Sequence, residues 1–191
     1  MGMKEAFETF FEEMTQNSIE KTGFPPKLPC NEAKRPTGLF LLDTLDKQGY
    51  AEWKPKLQEK AVSFEEIEKE LGFSIHTQIK EYLSTYWFIG LEGKIQSSEG
   101  RVSLSLSSIT PYSDINDIIR RRFDNEETHY LSDHKYFLIG TYCKIDGNDE
   151  YVVQVNNDTG EVTAVDVMDK YSVKLANSIE ELLMNMKGMW I

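Results

Sequence analysis

The stretch EYVVQVNNDTGEVTAV, residues 150–165, gathers Asn156, Asn157, Asp158, Thr159 and Glu161 next to one another. These are the oxygen donors from which calcium loops are built. A calcium loop of the EF-hand kind, however, spaces its ligands over about twelve residues and ends in a bidentate acid. Here the strand-forming run Tyr151 to Val155 separates NNDTG from the preceding DGND at 146–149. Asn157, Asp158 and Gly160 are also the residue types that accept positive φ in a tight turn. A β-hairpin therefore explains the segment, and DGND reads as a second turn. His129, His134 and Cys143 offer zinc-ligand types, but H-x4-H lies outside the compact spacings and no CxxC or HExxH accompanies it. No metal and no cofactor is expected. His76 reads as a capping or packing histidine at the start of a helix.

Nucleophilic chemistry has no better footing. The chain contains no GxSxG, no P-loop and no GxGxxG, and neither Cys30 nor Cys143 sits in a known catalytic signature. Two isolated cysteines suit reduced thiols in a cytoplasmic protein. Carboxylates are abundant, but abundance is not arrangement. A binding protein is expected before an enzyme.

Composition narrows the partner. The chain has 21 basic and 32 acidic residues, a net charge of −11. Nucleic acid is excluded as an expected partner, because phosphate binding needs a basic face. An acidic surface suits a basic protein. At 40% hydrophobic and 28% charged, the 191 residues suit one folded domain. No apolar run reaches the ~20 residues that span a bilayer. The acidic, amphipathic start MGMKEAFETFFEEMTQ is unlike a secretory signal, so a cytoplasmic protein without direct membrane insertion is expected.

The elements that must position any site follow from periodicity. Met3, Phe7, Phe10 and Met14 form one helical stripe over residues 3–20. The segment 22–38 carries four prolines and reads as an irregular connector; its PPKLP is a surface loop rather than an SH3-type ligand. GLFLLDTL and GYAEWKP, joined through Asp46 and Gly49, predict a hairpin. Ser63 and Glu66 form a capping box for a helix with Phe64, Ile67 and Leu71 on its apolar side and Gly72 at its end. A further helix over about 76–87 carries Ile79, Tyr82, Leu83 and Tyr86. RVSLSLSSI alternates as a half-buried strand. SDINDIIRRRF is a helix capped by Ser113, with Asp114 and Asp117 at its positive end and Arg120, Arg121 and Arg122 at its negative end. KYFLIGTYC, EYVVQVN and GEVTAVDV are successive strands, and Ile179, Leu182, Leu183 and Met186 mark a closing helix over 177–187. The expected fold is α+β: a single domain, residues 1–191, with a mostly antiparallel sheet, helices at both ends and helices packed on the sheet.

Four segments, GYAEWKP (49–55), IHTQIKEYLSTYWFIGLEGKIQ (75–96), EYVVQVNNDTGEV (150–162) and LANSIEELLMNMK (175–187), occur in an order that resembles the Syd family, within the SUKH superfamily of non-catalytic α+β domains. Trp53 before Pro55, the Gly160-Glu161-Val162 end of the hairpin and the helix from Leu175 to Leu183 carry the likeness. The insert NEAKRPTG and the length of the PPKLPC connector depart from the pattern. The resemblance implies protein binding: to the SecY translocation channel at the cytoplasmic face of the membrane, with a peripheral place at that face, or, in other SUKH branches, to a toxin domain that an immunity protein neutralises. Both partners offer basic surfaces, SecY in its cytoplasmic loops and a nuclease toxin in its cleft. The surface expected to meet them comprises Asp43, Glu52, Trp53, Tyr86 and Glu92, with the aromatics supplying contact area and the acids steering.

Overall fold

The computed structural model describes residues 2–34, 37–97, 100–123, 136–144, 150–166 and 171–189. Helix α1 (Met3–Thr22) opens the chain and ends at Gly23, whose φ of 80° and amide bond to the Ile19 carbonyl form the cap. The next segment is less irregular than its prolines suggest. Lys27–Pro29 form β1, which pairs with β3 (Tyr50–Trp53), and β3 pairs on its other side with β2 (Phe40–Leu41). PPKLP is thus partly a strand of a three-stranded sheet in the order β1-β3-β2. The β2–β3 hairpin turns where expected. The Asp46 carboxylate accepts the amides of Gln48 and Tyr50, and Gly49 adopts a φ of 86°.

Two short strands and two helices follow. β4 (Lys56–Leu57) pairs with β5 (Tyr86–Trp87). Between them lie α2 (Glu65–Leu71) and α3 (Thr77–Thr85). The capping box at Ser63 and Glu66 does not form. Phe64 is the N-cap residue of α2 and no side chain caps it, because Phe64 must bury its ring (9% exposed). Gly72 closes the helix as expected. Helix α3 stops at Thr85 rather than 87, since Tyr86 and Trp87 pair with Leu57 and Lys56 as strand.

The main sheet has seven antiparallel strands in the order β11-β10-β9-β8-β7-β6-β12. They are β6 (Leu91–Ser97), β7 (Gly100–Leu106), β8 (Tyr136–Lys144), β9 (Glu150–Asn156), β10 (Val162–Asp166), β11 (Tyr171–Ala176) and β12 (Lys187–Gly188). Helix α4 (Ile115–Phe123) lies between β7 and β8 in sequence and packs on β8. Its cap is Asp114, not Ser113: the Asp114 carboxylate accepts the Asn116 amide at 2.8 Å and its carbonyl accepts the Ile118 amide.

One short connection dictates the shape of this sheet. Helix α5 (Ile179–Asn185) carries the chain from β11 at one edge to β12 at the other. Seven flat strands would be roughly 29 Å wide, whereas a seven-residue helix rises only about 10 Å. The sheet must therefore curl until its edges approach, and β11 does contact β6. One core fills the space beneath. Phe7 sits 5.5–5.7 Å, ring centre to ring centre, from Phe11, Tyr82, Tyr86 and Phe88. Ile179, Leu182, Leu183 and Met186 are all buried, as their spacing predicts. The closing strand comes so near α1 that a Cβ on Gly188 would stand 2.8 Å from the Met14 Cα. The protein is a single α+β domain.

Candidate partner-binding surface

The NNDTG turn that opened the question of metal binding has a structural role. The Asn156 carboxamide oxygen accepts the amides of Asp158 and Thr159. The Gly160 amide reaches the Asn156 carbonyl at 2.8 Å, and Gly160 has a φ of 77°. Asn157 points inward, 7% exposed. Its oxygen accepts the His76 amide at 2.8 Å and its nitrogen donates to the Ser74 carbonyl at 2.9 Å. The Asn156 and Asn157 carboxamide oxygens and the Asn157 amide are thus committed to backbone, and the turn anchors the loop that starts α3. His76 caps that helix, its Nδ1 accepting the Gln78 amide at 3.3 Å. Among the described residues no three His, Cys, Asp or Glu side chains converge as a metal site would need. His129, His134 and the DGND turn lie outside the described residues, as does the side chain of Cys143.

The five residues expected at the partner surface separate into three places. Trp53 is 2% exposed and Tyr86 8%. Neither ring offers contact area to a partner: β3 alternates and turns Ala51 and Trp53 inward while Tyr50 and Glu52 face out, and Tyr86 packs against Phe7 and Phe11. The Tyr86 hydroxyl donates to Glu8 Oε1 at 3.0 Å. Burial, then the bond to Glu8 and its charge, pushes this phenol up to about 12.

Asp43 and Glu52 do come together. Asp43 lies in a 3-10 turn, Leu42–Thr44, that continues β2. The next residue, Thr44, accepts the Glu52 amide on its hydroxyl at 2.8 Å while donating to the Leu41 carbonyl at 2.6 Å. Asp43 is exposed and Glu52 half-buried. Neither carboxylate has an ion-pair partner among the described residues; Lys27, which faces Glu52 across the β1–β3 ladder, is drawn to Asp46 at 3.9 Å. Glu92 stands apart on β6 of the main sheet and accepts the Ser105 hydroxyl at 2.6 Å.

What the sequence does not announce is the apolar surface beside Asp43 and Glu52. Leu42 is 59% exposed, Leu45 51% and Tyr50 43%. Backbone bonds hold them close: the Leu45 amide reaches the Leu42 carbonyl at 3.3 Å and the Asp46 amide the Tyr50 carbonyl at 2.8 Å. A signal for this patch is present, since LFLLDTL holds more large apolar residues than a two-residue strand can bury. Exposed aliphatic and aromatic side chains next to free carboxylates can hold a basic, partly apolar protein segment.

The family model described as Syd protein (SUKH-2) matches residues 4–188. The chain is similar to Protein Syd of Colwellia psychrerythraea, at 26% identity over 188 residues, spanning 95% of this chain and 90% of that protein. The match includes the three-stranded sheet that carries Asp43 and Glu52, the curled main sheet and the closing helix. The chain belongs to the Syd family.

Proposed function

We propose that this protein is a non-catalytic binding domain that engages the cytoplasmic loops of the SecY translocation channel, working in the cytoplasm and peripherally at the inner face of the membrane. The observation that carries the reading is the family match along residues 4–188; within the SUKH superfamily it favours the Syd role over toxin neutralisation. The net charge of −11 suits basic loops, which lie on the cytoplasmic side by the positive-inside rule. No helix among the described residues is long and apolar enough to cross a membrane, so the proposed attachment runs through the partner.

Within that reading the contact surface is the outer side of the three-stranded sheet. Leu42, Leu45 and Tyr50 supply apolar area, and Asp43 and Glu52 steer the approach. Glu92 contributes to the long-range field from a different sheet. The test is a titration of the purified chain against detergent-solubilised SecY. Saturable binding supports the reading, and its absence at low salt and micromolar concentrations overturns it.

A further inference from the structure

A concavity of about 390 Å³ at the β6–β7–β12 edge of the main sheet is lined by Lys94, Ile95, Gln96, Arg101, Asn185 and Lys187. Its charged lining is three cations and no acid, in a chain where acids outnumber bases by 32 to 21. We propose that this concavity binds a phosphate group.

The arrangement is hard to explain as a stabilising one. Lys94 and Lys187 stand directly opposite each other across the β6–β12 ladder, and like charges in that relation are destabilising. Arg101 faces Gln96 across the β6–β7 ladder, and Lys94 faces Ser103. Arg101 is therefore the diagonal neighbour of Lys94 on the same face, within reach for long side chains. Lys187 is partly neutralised by Glu13 at 3.0 Å. Lys94 and Arg101 have no ion-pair partner among the described residues.

The donor set fits a phosphate. A guanidinium presents a planar fork that matches two oxygens, and ammonium groups add charge from other directions. Asn185 lines the same space. Lys187, held by Glu13, forms one wall of known position, and Lys94 and Arg101 close on the ligand. A free phosphate compound and a phospholipid headgroup share this chemistry. The inference does not depend on SecY binding, since it concerns other residues on another sheet.

The experiment compares the parent with Lys94→Ala/Arg101→Ala, and with Lys47→Ala/Lys54→Ala as a control that removes two exposed lysines elsewhere. Thermal melts are recorded in inorganic phosphate and in chloride of equal ionic strength. Sedimentation is measured with vesicles of phosphatidylglycerol and of phosphatidylcholine. Phosphate is expected to raise the melting temperature of the parent and the control by mass action, and to bind the Lys94/Arg101 variant at least tenfold more weakly. Sedimentation with phosphatidylglycerol alone, lost in that variant, identifies a headgroup; a phosphate shift without sedimentation identifies a soluble phosphate. Single Gln substitutions at Lys94 and Arg101 replace the double variant if it melts early without ligand. Equal responses in parent and variant, or no response to either phosphate or phosphatidylglycerol, overturn the proposal.

Discussion

Asn157 holds His76: the carboxamide oxygen of the hairpin residue accepts the backbone amide of the residue that caps α3, at 2.8 Å. With the second bond, to the Ser74 carbonyl, one buried side chain joins the β9–β10 turn to the start of a helix some eighty residues earlier in sequence. Replacing Asn157 with Ala removes the partners of the partly buried His76 amide and Ser74 carbonyl. The expected loss is about 2–3 kcal/mol, or roughly 5–10 °C in melting temperature for a domain of this size. Urea denaturation checks it: the midpoint should fall while the slope stays constant.

Gly160 meets the same histidine from the other side of the turn. A Cβ there would stand 2.8 Å from His76 Cε1, on a backbone with φ of 77°. Gly160→Ala should therefore destabilise by about 2 kcal/mol or more, and Gly160→Val by more still. Introducing Gly160→Ala into a His76→Ala background removes the His76 contact but leaves the Gln78 side chain at 3.1 Å and the dihedral strain. The cost of the substitution should shrink in that background without vanishing, and equal costs in both backgrounds would refute the contact.

Glu68 predicts an acid limb to the stability curve. Burial works against its charge, but the Lys80 ammonium at 2.6 Å, the Ile75 amide at 2.6 Å and the Lys80 charge prevail and hold its carboxyl below the ordinary 4.5. A carboxylate depressed on folding contributes stability that is complete above its unfolded value and lost as pH falls through the folded one. Denaturation at a series of pH values below 6 should show the parent losing stability below about pH 4.5. Glu68→Gln should be less stable near pH 6 and converge with the parent in acid.

Tyr82 and Tyr86 predict an alkaline limb. Burial raises both phenols to about 12, aided at Tyr86 by Glu8 and opposed at Tyr82 by Arg122. The sign is the reverse of the Glu68 case. The unfolded phenol ionises first, so the contribution is complete below pH 10 and is lost as pH rises from there towards 12. Ultraviolet titration should show the Tyr82 and Tyr86 phenols ionising only as the protein unfolds. Tyr86→Phe should remove one phenol from that late absorbance change.

Helix α1 and the interior strand β7 were more legible in the sequence than the edges of the sheet. The stripe of Met3, Phe7, Phe10 and Met14 and the alternation of Val102, Leu104 and Leu106 announce α1 and β7, because a full face of each is buried. β6 is harder to see: LEGKIQS spends one inward position on Gly93, where a Cβ would strike Met186. β11 and β12 carry little periodicity, and β12 is only two residues long, so both depend on the curl of the sheet and on α5 to bring them into place. At the candidate surface Asp43 is exposed, whereas Trp53 and Tyr86 are buried. Trp53 and Leu42 are eleven residues apart with similar hydrophobicity, and only the three-stranded sheet decides that the tryptophan turns inward and the leucine out.

The central claim, that the three-stranded sheet presents Asp43 and Glu52 to a basic partner, is tested most directly by charge reversal. The parent, Asp43→Lys/Glu52→Lys and Glu92→Lys are each titrated against detergent-solubilised SecY at low and moderate salt, with melting temperature as the folding control. Asp43 is exposed and Glu52 and Glu92 are half-buried, and none has an ion-pair partner among the described residues, so the fold should persist with at most a modest loss of stability. The Asp43/Glu52 variant should bind at least tenfold more weakly, associate more slowly and lose most of its salt dependence, while Glu92→Lys should show a smaller effect. Binding of the folded Asp43/Glu52 variant with parental affinity and salt dependence would contradict the account.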